Sequence, residues 1–238
     1  MARGKFEQSG LNRIICDEIE VERCQFVDDF LEPANSLSST VISKAYWTLG
    51  GSSGTAAIVA AVNGIMQLDT TATGSRTASL TYGAADFDVA SNPTFEARVS
   101  LSNLTNCVYE WGMYATANDY ALFRFKSATS ATQLLFATKN NGGTEVVQTL
   151  YFAPTAAKYF KTRIEILSDA SYKLVIGESD IKSRSPLLNI ENYDIGRYTG
   201  TIRSLTTFVP YFYVSNVAAA ESKKLNIDYC KVSQDRDV

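Results

Sequence analysis

The chain alternates too quickly to be helical. From Phe26 onward, short stretches of alternating apolar and polar residues recur at brief intervals with turn residues between them, the spacing of an all-β sandwich or barrel. "TFEARVSLS" places Phe95, Ala97, Val99 and Leu101 on one face and Glu96, Arg98 and Ser100 on the other, a half-buried strand of period two. No segment sustains a 3.6-residue period, and "TAAIVAAVNGIMQL" divides at Asn63-Gly64 into two short strands. No repeat of roughly 20–50 residues is present, which favours a closed sandwich over a propeller or solenoid.

Turn chemistry sets the hairpins. "CVYEWGMYA" and "YALFRFKS" flank "TANDY", with Phe123 and Phe125 on one face and Arg124 on the other. "KNNGG" supplies residues tolerant of positive φ between "QLLFAT" and "TEVVQTLYF". "FKTRIEIL" aligns Phe160, Thr162, Ile164 and Ile166, and after "SDAS" the returning "YKLVIGE" aligns Tyr172, Leu174 and Ile176. Residues 178–207 are less regular and read as a long connection with room for a short strand.

At 238 residues, 45% apolar and 20% charged, the chain can bury one large core. Its net charge of −3 lacks the basic excess that phosphate neutralisation needs, so nucleic acid is not an expected partner. There is no histidine, which argues against catalytic triads and zinc sites. Cys16, Cys24, Cys107 and Cys230 are dispersed without metal-site spacing and read as reduced thiols. The start "MARGKFEQSGLNR" has no apolar signal core, and no stretch approaches the ~18 apolar residues of a membrane span. Synthesis in a cytoplasm without a cleaved signal, and no membrane partner, are the expectations.

Residues 1–25 differ from the remainder, being charged and aliphatic without Gly/Ser punctuation. They read as an N-terminal arm ahead of a domain over 26–238. "EIEVE" suits an edge strand, either of the main sheet or pairing with a neighbouring subunit. Phe6, Leu11, Ile14, Ile15, Ile19 and Val21 would be the docking residues of such an arm. At the other end, "KLNIDYCKV" places Leu225, Ile227 and Tyr229 on one face and Asn226, Asp228 and Cys230 on the other, and its expected partner is the early "CQFVDDFLEP".

The order "DDF", "YWTLGG", "TFEARVSL", "EWGMY" with "YALFRF", "YFKTRIEI" with "YKLVIGE", and "FVPYFYVSN" with "KKLNIDYCKV" resembles the concanavalin A-like, laminin-G-like jelly roll. More narrowly, it resembles the versions of that module in structural proteins of tailed bacteriophages. The resemblance implies a sandwich of two curved antiparallel sheets. It also implies a non-enzymatic virion protein, for capsid decoration, fibre or tail, that docks on capsid or tail proteins as a homo-oligomer. Carbohydrate binding by a lectin-like module is the alternative, with a surface glycan as partner; a polysaccharide-degrading enzyme of the same fold is a further one.

The carbohydrate alternative rests on Tyr109, Glu110, Trp111 and Tyr114, because an aromatic ring beside a carboxylate grips the face and the hydroxyls of a sugar together. The competing reading of Trp111 is packing, since it shares a face with Cys107, Tyr109 and Met113. Jelly-roll glucanases carry ExDxxE on one strand, with carboxylates about 5 Å apart in retaining enzymes. That pattern is absent, and no catalytic residue is assigned. Calcium in lectin-like jelly rolls is held by loop carboxylates and carbonyls. Asp86, Asp88, Asp119 and Asp194 stand in turn-rich settings, but none has EF-hand spacing and Asx turns account for each. Calcium stays an open candidate without assigned ligands, and no other cofactor is expected.

Overall fold

The computed structural model describes residues 13–14, 23–28, 30, 36–37, 47–59, 64–72, 74–83, 87–167, 171–178, 193–199, 207–217 and 221–235. The strands in chain order are β1 (Arg13–Ile14), β2 (Arg23–Asp28), β3 (Ser36–Leu37), β4 (Trp47–Gly50), β5 (Thr55–Val59), β6 (Ile65–Asp69), β7 (Thr77–Tyr82), β8 (Phe87–Asp88) and β9 (Thr94–Leu101). They continue with β10 (Cys107–Thr116), β11 (Asp119–Lys126), β12 (Leu135–Lys139), β13 (Val146–Thr149), β14 (Tyr159–Ile166), β15 (Ser171–Glu178), β16 (Tyr193–Thr199), β17 (Thr207–Asn216) and β18 (Lys224–Asp235). No helix among the described residues is long and apolar enough to cross a membrane.

Two antiparallel sheets result. Sheet A runs β16-β15-β14-β9-β18-β6-β5-β3, with β2 beside the second half of β18 and β1 on β2. Sheet B runs β13-β12-β11-β10-β17-β7-β4, with β8 on the start of β17. Their inner faces interlock through aromatic contacts from one sheet to the other: Phe95 with Phe212, Trp111 with Phe160, Phe136 with Tyr172 and Phe26 with Trp47. Each such buried side chain removes apolar surface from water, worth about 1.5–3 kcal/mol.

The expected hairpins form where turn chemistry allows them. β5 and β6 pair across the segment containing Gly64, whose φ of 55° is left-handed. β10 and β11 close through Thr116 and Asp119, which pair directly. β12 and β13 join through "KNNGG", where Asn141 and Gly142 have φ of 49° and 71°. In the irregular connection, β16 is a seven-residue strand on β15.

The closing strand pairs where the sequence indicated: Cys230 to Asp235 of β18 run against Asp28 to Arg23 of β2. Its facing pattern is different from strict alternation. A bulge at Asp228 interrupts the register with β9, where Ile227 pairs Val99 and the next paired residue, Tyr229, meets Arg98. One inserted residue exchanges the faces beyond it. Leu225 and Ile227 are in the core, and after the bulge Cys230 and Val232 take their place while Tyr229 turns outward. β9 also departs from a half-buried strand, since Arg98 and Ser100 are enclosed between β14 and β18.

Cys107 and Cys230 are free thiols in the interior. Burial pushes Cys107 up to about 11 and Cys230 well above its ordinary value. Of the expected arm residues, Ile14 lies on β1 opposite Phe26 of β2; Phe6, Leu11, Ile15, Ile19 and Val21 lie outside the described residues, as do Cys16 and the side chain of Cys24.

Candidate functional site

Strand β10 sorts the expected sugar-binding residues onto two faces. Cys107, Tyr109, Trp111 and Met113 point inward and are buried, Trp111 with 0% exposure. The Trp111 indole N–H donates to Thr162 Oγ1 at 2.8 Å, its ring stacks on Phe123, and Phe160 meets it edge-on. The Tyr109 hydroxyl donates to the Asn103 carbonyl at 3.0 Å. Neither ring offers a face to a ligand, which corrects their placement beside Glu110 and Tyr114. Those two occupy the outer face.

On that face Glu110 and Tyr114 are joined by residues of β11 and β17. Register places Glu110 between Arg124 and Tyr213, and Gly112 between Leu122 and Tyr211. Tyr211, the β17 partner of Gly112, stacks on Tyr114, with ring centroids 4.5 Å apart and planes 21° from parallel. Tyr213 continues the row at 6.3 Å from Tyr211 and 12° from parallel. Tyr120, Leu122 and Ala137 form the apolar floor beneath Tyr114 and Tyr211. The three tyrosines of the row stay partly exposed.

Beside this row stands a charged clamp. Arg124 Nε donates to Glu110 and its Nη1 to Glu145 at 2.8 Å, and the Tyr120 hydroxyl donates to the same Glu145 oxygen. Burial alone would raise the Glu145 carboxyl, but the bonds from Tyr120 and Arg124 hold it below its ordinary value. Burial would likewise lower Arg124, and the attraction of Glu110 together with the Glu145 bond reverses that and raises it. Arg124 and Glu145 are therefore ionised near neutral pH, with the Glu145 carboxylate fixed to accept hydrogen bonds. Glu145 is held on the wrong side for a general acid, which must arrive protonated.

Burial also raises a set of phenols: Tyr120 to about 12, and Tyr109, Tyr159, Tyr172, Tyr211, Tyr213 and Tyr229 above their ordinary value. The fold favours the neutral phenol, so this stability is fully present below the unfolded value near ~10 and is lost as pH rises through the folded values. We expect at least these seven of the thirteen tyrosines to stay protonated through about pH 10. Phenolate absorbance should reach its full amplitude only together with loss of the circular dichroism of the fold. Complete, reversible ionisation around pH 10 in the folded protein would contradict this.

The turn carboxylates serve the backbone. Asp88 accepts from Ala90 N at 2.9 Å, and Asp119 accepts from Asn141 N at 2.6 Å. Asp86 and the side chain of Asp194 lie outside the described residues. Among the described residues no three His, Cys, Asp or Glu side chains converge as a metal group would need.

Sequence reasoning missed Tyr211, Tyr213, Tyr120 and Glu145 as members of one surface. The signal was present in "FVPYFYVSN", where alternation sets Tyr211 and Tyr213 opposite Phe208, Phe212 and Val214.

The two packed antiparallel sheets form a concanavalin A-like jelly-roll sandwich. No family model matches the chain, and no curated protein matches it. Several solved structures are similar. A protein of unknown function from Shewanella oneidensis MR-1 aligns over 93% of this chain and 90% of its own, with a TM-score of 0.61 and 12% identity. A structure described under endo-acting O-glycanases that human gut microbiota express to initiate mucin breakdown aligns over 88% and 98%, with a TM-score of 0.57 and 11% identity. The carbohydrate recognition domain of Emp46p, in a potassium-bound form, aligns over 88% and 96%, with a TM-score of 0.54 and 10% identity. At these identities the likeness shows the fold.

Proposed function

We propose that this protein binds carbohydrate through the outer face of sheet B. The observation that carries the reading is the partly exposed row Tyr114, Tyr211 and Tyr213 set beside the Glu110, Arg124 and Glu145 clamp. Tyrosine offers an apolar ring to the C–H face of a pyranose and a hydroxyl to its rim. Ionised carboxylates accept hydrogen bonds from sugar hydroxyls, and charge makes those bonds stronger than neutral ones. Two of the three similar structures are described by work on carbohydrate, as a recognition domain or as glycanases, which favours this reading for the shared fold. None of the three is described as part of a virus particle, so the virion role expected from the sequence has no support from these likenesses.

A glycan array probed with the full chain and with Tyr213→Ala tests the proposal. The wild-type protein should retain a related group of glycans, and Tyr213→Ala should weaken that retention by about tenfold, the equivalent of ~1.4 kcal/mol. Trp111→Phe, which changes only the interior, should leave the pattern of glycans unchanged. An array without any retained glycan, or a Tyr213→Ala protein that binds as well as wild type, would overturn the assignment.

A further inference from the structure

The outer face of sheet A carries a second arginine whose hydrogen bonding is incomplete. Arg98 of β9 is 8% exposed, and its Nη1 donates to Asp228 Oδ2 at 2.6 Å across the β18 bulge. The Tyr159 ring lies 4.6 Å from its Cζ and covers one face of the guanidinium. Glu96 is taken by the Tyr229 hydroxyl at 2.9 Å and by Lys161 Nζ at 3.0 Å, so it is not turned to Arg98. Arg98 Nε and Nη2 are fully enclosed and meet no acceptor among the described residues, and Ser100 Oγ, two residues along the same strand face, likewise has no partner among them.

A buried cationic donor without an acceptor is costly, and the few that exist ask for an explanation. Nε–H and Nη2–H lie on one edge of the planar guanidinium and point the same way, the geometry that receives both oxygens of a carboxylate. Arg124 on sheet B, by comparison, has one carboxylate at Nε and a second at Nη1. Arg98 has the Nη1 carboxylate alone.

We propose that Arg98 and Ser100 form a binding site for a small carboxylate-bearing ligand, which enters beside the partly exposed Lys161 and Tyr159, the β14 partners of Arg98 and Ser100. The carboxylate seats on the Nε/Nη2 edge, and the Ser100 hydroxyl donates to it. The site is on the opposite sheet from the tyrosine row and does not depend on the glycan reading. Its ligand is defined by the carboxylate, whether that group belongs to an acidic sugar or to an acidic amino acid.

The test is a titration of the ¹⁵N-labelled full chain with acetate, glucuronate and N-acetylglutamate at constant ionic strength, with glucose as the neutral control. The Arg98 Nε–H signal, assigned by its loss in Arg98→Lys, should shift and saturate with acetate at a Kd on the order of 1 mM. Arg98→Lys keeps the charge opposite Asp228 without the fork and should weaken acetate binding at least tenfold by calorimetry. Ser100→Ala, which leaves the ion pair intact, should weaken it severalfold and serves if the lysine variant does not fold. A stronger response to glucuronate assigns an acidic sugar, and a stronger response to N-acetylglutamate an acidic amino acid. No saturable shift with any of the three carboxylates, or an equal shift with glucose, would overturn the proposal.

Discussion

Trp111→Ala is expected to lower the unfolding free energy by about 3–5 kcal/mol, read as a fall in the urea midpoint. The indole fills the space between the sheets, enclosed by Phe123 of sheet B and Phe160 of sheet A. Truncation removes that packing and leaves a cavity that strands on both sides resist closing. It also removes the donor to Thr162 Oγ1, in a position with no access to water. Trp111→Phe keeps most of the volume and should cost clearly less. A loss below about 1 kcal/mol for the alanine variant would mean that the ring is not where the fold places it.

Gly112→Val should have the second largest effect, about 2–3 kcal/mol of destabilisation. Gly112 has φ of +149°, and a Cβ there would stand 2.5 Å from the Ala121 carbonyl oxygen of β11 and 3.1 Å from Ile164 Cδ1. The closer neighbour is backbone held in the β10–β11 ladder, so it cannot swing away as a flexible side chain could. Branching at Cβ adds to the strain. Gly112 pairs with Tyr211 and lies two residues from Tyr114, so a displaced β10 backbone should disturb the tyrosine row as well as the fold. Gly112→Val as stable as wild type would contradict the strained close approach.

Much of this architecture was legible because strand alternation is written residue by residue. Phe160, Thr162, Ile164 and Ile166 align inward as their spacing says, and the turn at "KNNGG" and the break before Gly64 follow from which residues accept positive φ. The bulge at Asp228 was not legible. A single inserted residue leaves no compositional mark, and only the partner strand's register reveals that Cys230, and not Tyr229, enters the core. The site was half legible for a related reason. Alternation separates Glu110 and Tyr114 from Tyr109 and Trp111, but it does not say which face is the interior. Nor does it say that residues about a hundred positions away, Tyr211 and Tyr213, complete the outer one. That knowledge comes from the pairing of β10 with β17, which joins distant parts of the chain.

The proposed carbohydrate surface is the tyrosine row of sheet B. The most direct measurement is a ring-labelled tyrosine NMR titration of the full chain against a panel of neutral mono- and disaccharides and the glycans retained on the array. Carbohydrate binding there should give saturable shifts at Tyr114, Tyr211 and Tyr213, while the interior rings of Tyr109 and Tyr172 stay silent. Shifts confined to other tyrosines, or no response from any ring while the protein remains folded, would contradict it.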